Sequence, residues 1–69
     1  MDLSQITITR TTLLPPRYLI FDDRYHKMGS VEMRRGVWYC IDNQTKEEFM
    51  GLTRDEAIKD WLTSFDKFL

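Results

Sequence analysis

The sequence predicts an α+β domain in which a small antiparallel sheet of three to four strands carries one C-terminal helix packed on one face. Three observations predict it. Short β-branched runs alternate apolar and polar residues through the first fifty positions, the last stretch turns apolar at steps of three and four, and strands precede the helix. Nothing repeats and no linker-like stretch divides the chain, so its 69 residues are read as one small domain, 1–69.

Gln5-Ile6-Thr7-Ile8-Thr9-Arg10 has the period of a half-buried strand and opens the sheet. Pro15-Pro16 ends that strand, because neither ring nitrogen can donate to a ladder and Pro15 holds Leu14 extended. Tyr18-Leu19-Ile20-Phe21, bounded by the prolines and by Asp22-Asp23, reads as a second strand, with a helical turn as the alternative. Residues 22–30 are polar and close on Gly29-Ser30, a turn signal.

Val31-Glu32-Met33-Arg34 alternates, Arg35-Gly36 interrupts, and Val37-Trp38-Tyr39-Cys40-Ile41 is the strongest strand, expected at the centre of the sheet. Asp42-Asn43-Gln44-Thr45 supplies side chains that bond their own backbone in a turn, and Lys46-Glu47-Glu48-Phe49-Met50 returns as a hairpin partner that ends at Gly51.

Thr53-Arg54-Asp55-Glu56 is a capping box. The Thr53 hydroxyl is placed to accept the Glu56 amide, and the Glu56 carboxylate to accept the Thr53 amide. Asp55 adds negative charge at the positive end of the helix. Over residues 53–67, Ala57, Ile58, Trp61, Leu62 and Phe65, continued by Phe68, form one face for the sheet and leave Lys59, Asp60, Ser64 and Lys67 to solvent.

Composition narrows the function classes. Hydrophobic residues make up 42% and charged residues 30% of the chain, with 3 Gly and 2 Pro, which argues for a packed domain rather than a disordered or fibrous one. No apolar run approaches the roughly 20 residues of a membrane span, and Met1–Gln5 lacks the basic start of a signal peptide, so a cytoplasmic protein is expected. With one Cys and one His, neither an internal disulfide nor a four-ligand zinc site is available. So short a chain without staples relies on its rings, 4 Phe, 3 Tyr and 2 Trp, or on covering apolar surface with a partner or as a homodimer.

Few residues suggest chemistry. His26 stands in a polar loop and reads as solvated, Cys40 stands in an apolar strand and reads as a small hydrophobe, and Asp22-Asp23 and Glu47-Glu48 are read as turn and surface residues, since strand neighbours point to opposite faces. Asn43-Gln44-Thr45 is a turn. No phosphate loop, nucleophile elbow or metal-spaced cluster is present in the sequence, so no catalytic activity, metal or cofactor is expected.

What remains is aromatic and basic. Arg17, Tyr18, Arg24, Arg34, Arg35, Trp38 and Tyr39, with Tyr25 and Lys27 nearby, are the residue types that anchor protein interfaces and also stack on or grip nucleic acid. With one helix on one sheet face, some of them are expected on the other. The charge is uneven: residues 1–41 hold six cations against four anions, residues 42–69 four against seven, and the whole chain is −1. That balance disfavours duplex binding, which draws on a strong basic field.

Leu14-Pro15-Pro16 followed by Tyr18, then Trp38-Tyr39-Cys40, then Thr45-Lys46-Glu47-Glu48-Phe49 with Gly51-Leu52 and a final helix, resembles the arm-type DNA-binding N-terminal domain of lambda-like phage integrases. The resemblance covers residues 14 to 62 and implies a sheet, packed by one helix, that reads the DNA major groove, with Arg17, Arg34 and Trp38 as groove or phosphate contacts. The chain is also similar in size and style to the small inhibitors that phages and mobile elements direct at host machinery, such as anti-CRISPR proteins. Charge ranks the two: the expectation is a non-catalytic interaction protein that binds a host protein through an aromatic-basic sheet face, with a DNA-binding module as the alternative.

Overall fold

A computed structural model of the protein describes residues 3–66. After a 3₁₀ turn at Leu3–Gln5 come β1 (Thr7–Thr12), β2 (Arg17–Phe21), β3 (Lys27–Arg34), β4 (Val37–Asp42), β5 (Glu48–Gly51) and α1 (Arg54–Asp66). Each strand pairs antiparallel with the next, giving one sheet in the order β1-β2-β3-β4-β5. The α+β class is the expected one, with five strands in place of three to four. Among the described residues no helix is long and apolar enough to cross a membrane.

Two expectations about the sheet are corrected. The turn read at Gly29-Ser30 lies earlier, at Asp22–His26, where Asp22 Oδ1 accepts the amides of Arg24 at 2.8 Å and His26 at 2.9 Å while Tyr25 takes a positive φ of 61°. Gly29 lies inside β3 because the helix needs its missing side chain. A Cβ there would stand 2.6 Å from the Ile41 carbonyl oxygen and 3.3 Å from Trp61 Cζ2. The middle strand of the five is β3, eight residues long, and β4, expected at the centre, lies beside it as an interior strand likewise paired on both edges.

The hairpins follow local chemistry. Arg35 and Gly36 join β3 to β4 with φ of 51° and 81°, a two-residue turn with both central residues in the left-handed region, which Gly36 adopts freely. At the β4–β5 turn, Asp42 Oδ1 accepts the amides of Gln44 at 2.8 Å and Thr45 at 2.9 Å.

Thr53 caps α1, accepting the Glu56 amide at 3.1 Å. The return bond of the box shifts by one residue, since Glu56 Oε2 accepts the amide of Leu52, not that of Thr53, at 3.0 Å. The helix lies across β3, β4 and β5 and buries Ala57, Ile58, Trp61 and Leu62 on Ile20, Val31 and Cys40, with Phe65 half-buried beside them. Trp61 Nε1 donates to Asp42 Oδ2 at 2.9 Å, which satisfies the indole at the edge of the core. Lys59 and Asp60 face solvent, whereas Ser64 is half-buried with its hydroxyl donating to the Trp61 carbonyl at 2.6 Å. Lys67 and Phe68 lie outside the described residues.

Candidate interaction face

Strand parity decides which side chains share a face. Ile20, Val31 and Cys40 are buried under α1, and their partners in register place Ile8 and Arg10 of β1, Tyr18 of β2, Trp38 of β4 and Phe49 of β5 on the same side. The intervening residues form the opposite, open face. Across its middle stand Thr9, Leu19, Ser30, Ile41 and Glu48, one per strand in register, and beside them Arg17, Glu32, Tyr39 and Met50. Phe21, Arg34 and Val37 complete the face at its two ends.

The sequence singled out seven binding residues, and the sheet distributes them. Arg17, Arg34 and Tyr39 meet on the open face. Tyr18 and Trp38 lie on the helix side, ring centroids 6.1 Å apart, and the guanidinium carbons of Arg10 and Arg54 stand 5.5 Å and 4.9 Å from the Tyr18 centroid. Arg35 sits in the β3–β4 turn and Arg24 in the β2–β3 turn, at opposite ends of the antiparallel sheet. Tyr25 and Lys27 are exposed at the Arg24 end.

Two glutamates complete the open face. Glu32 lies between two arginines, 3.5 Å from Arg17 and 3.2 Å from Arg34, and Arg34 reaches on to Glu48 at 3.0 Å. The Arg34 guanidinium leans over the Tyr39 ring with its carbon 4.8 Å from the centroid, which carries the charge from β3 towards β5. The heads thus form a row of alternating sign, Arg17, Glu32, Arg34, Glu48. The hydrogen bond from Arg34, opposed by partial burial and aided by the Arg17 charge, holds the Glu32 carboxyl below its ordinary value. The bonds to Glu32 and Glu48 raise Arg34 further. Apolar side chains flank the row: Leu19, Phe21, Val37 and Ile41 are half-buried by their neighbours, and Met50 is 62% exposed.

Sequence reasoning missed Glu32, Glu48 and the flanking apolar residues. Counting in steps of two from the buried Cys40 separates Tyr39 from Trp38 and adds Val37 and Ile41 to the open side, a signal present in the sequence. The Arg34–Glu48 pair spans from β3 over β4 to β5 and has no such signal.

The other candidates for chemistry lie away from this face. Cys40 is fully buried, and that burial, with the Asp42 charge nearby, pushes its thiol up to about 12. His26 is exposed, with Nδ1 3.6 Å from Asp22. A cleft of about 330 Å³ between the β2–β3 and β4–β5 turns is lined by Asp22, His26, Lys27, Asp42 and Phe65 among others. Both of its carboxylates are engaged in holding backbone amides.

Fold and face together define a small α+β domain with one covered and one open sheet face. Comparison with protein families, with curated proteins and with solved structures finds no match to this chain.

Proposed function

We propose that this chain is a non-catalytic interaction protein that binds a protein partner through the open face of its sheet. The observation that carries the reading is the row Arg17, Glu32, Arg34, Glu48. A surface that binds duplex DNA offers its cations to phosphates. Both arginines of this face are instead held by carboxylates of the same face, and docking phosphates there would set Glu32 and Glu48 against like charge. A protein partner has no such conflict. Tyr39 under Arg34 is the stacked aromatic and arginine type that anchors protein interfaces, and Leu19, Phe21, Ile41 and Met50 supply apolar area around it. The finer reading, an accessory factor or inhibitor of the anti-CRISPR style carried by a phage or mobile element, is supported by small size and by a recognition face without a chemical site.

Two measurements test this. A photoreactive residue at position 50 is expected to crosslink repeatedly to one protein partner, either a second copy of the chain or a protein of a bacterial lysate, and Ile41→Glu is expected to abolish that capture while the protein stays folded. A fluorescent duplex is expected to show little binding and a shallow salt response between about 50 and 200 mM. A steep salt slope, lost in folded Arg17→Ala and Arg34→Ala proteins, would favour the integrase-like DNA-binding alternative.

A further inference from the structure

We infer that the partner this open face fits is a second copy of the chain, docked face to face about a two-fold axis parallel to the strands. The inference rests on the reading of the open face as the interaction surface and names its occupant. The argument begins with the sign of the charges. Across the sheet the row reads plus, minus, plus, minus, in the order Arg17, Glu32, Arg34, Glu48, each head within 3.5 Å of the next. Read backwards, the same row is minus, plus, minus, plus.

A two-fold axis parallel to the strands, passing between the Glu32 and Arg34 heads, lays the reversed row on the original. Arg17 then faces Glu48 of the second copy, and Glu32 faces Arg34 of the second copy. Each of these contacts occurs twice, as an isologous interface requires. Glu48 gains a second flanking cation and Glu32 a third as water leaves, the condition under which buried ion pairs are tolerated. A partner surface of one sign would meet repulsion at half of the row.

Geometry and area agree with this occupant. An axis parallel to the strands stacks two sheets with aligned strands, the ordinary arrangement of a β-sandwich, and leaves each α1 on an outer surface. Five strands about 4.8 Å apart and roughly 17 Å long give a footprint of about 400 Å². With side-chain relief, the two copies bury on the order of 1,000 Å², the lower limit for a specific interface.

Sedimentation equilibrium of the full chain tests the assignment, with circular dichroism to verify folding. The wild type is expected to self-associate. Arg34→Glu sets a carboxylate against Glu32 of the second copy, and Glu32→Arg sets a cation against its Arg34. Either variant alone is expected to weaken the dimer by more than about 30-fold, two like-charge contacts being formed each time. Mixed in equal amounts, the two variants complement one another at every position of the row and are expected to recover the dimer. A wild type that stays monomeric at the highest attainable concentration overturns the second copy as occupant, and capture through position 50 then decides separately whether the face binds another protein. A dimer that survives both reversals also overturns it, and places self-association elsewhere, such as the free edge of β1.

Discussion

The two faces of this sheet are built from alternate residues of the same strands, yet they differ in almost every physical respect. Under the helix, Ile20, Val31 and Cys40 are fully buried against Ala57, Ile58 and Trp61. On the other side, one residue along, Leu19, Glu32 and Tyr39 are only half-buried among paired charges. The covered face holds the fold together through burial, and the open face keeps aromatic and apolar area accessible beneath a neutralised charge row. Parity separates stability from recognition, and substitutions at adjacent positions should therefore act on different observables.

The largest expected effect is on the covered side. Trp61→Ala removes the largest buried side chain and leaves Asp42 without its indole donor. A cost of about 3 to 5 kcal/mol is expected, enough to leave so small a domain largely unfolded, as urea titration would show. A midpoint equal to that of the wild type would contradict the packing of α1.

Next in size is a contrast between neighbours. Gly29→Ala places a methyl group against the Ile41 carbonyl and the Trp61 ring and is expected to cost about 1 to 3 kcal/mol. Ser30→Ala, on the open side, is expected to change stability by less than about 0.5 kcal/mol. Equal losses at the two positions would break the comparison.

Much of this was legible from local sequence. The capping box located the start of α1, the spacing of Ala57, Ile58, Trp61 and Leu62 identified its buried face, and Asp42–Thr45 and Arg35-Gly36 marked two hairpins, because short-range rules govern all of these. Gly29 departs from the local rule for a tertiary reason: glycine signals a turn, whereas this one admits Trp61 of the distant α1. Composition groups the aromatic and basic residues but has no parity, so it does not separate Trp38 from Tyr39, which strand geometry sends to opposite faces. Glu32 stands opposite Arg17 on the adjacent strand, whereas the Arg34–Glu48 pair joins non-adjacent strands and emerges only from the fold.

A smaller effect concerns pH. Partial burial opposes the Asp42 charge, but the amides of Thr45 and Gln44 and the Trp61 indole outweigh it and hold the carboxyl below its ordinary value. A depressed folded value means that the stabilisation is fully present above the unfolded carboxylate range, about 3.9, and is lost as pH falls through the folded value. The wild type is expected to lose stability on that acid limb. Asp42→Asn should be less stable at neutral pH and show a flatter limb, and an unchanged slope in the variant would remove Asp42 from the account. The smallest effect belongs to the open face, where Glu48→Gln is expected to shift stability by less than about 0.5 kcal/mol, since the Arg34–Glu48 pair is exposed on both sides.

The division of the sheet into a folding face and a binding face is tested most directly by carboxyl footprinting of the native protein, dilute and concentrated. Glu48 on the open face and Asp60 on the outer surface of α1 are both exposed in the single chain. The account predicts that Glu48 loses reactivity as the protein associates while Asp60 keeps its own. Protection of Asp60 with Glu48 unchanged would contradict it, because the contact would then lie on the helix and the open sheet face would have no part in binding.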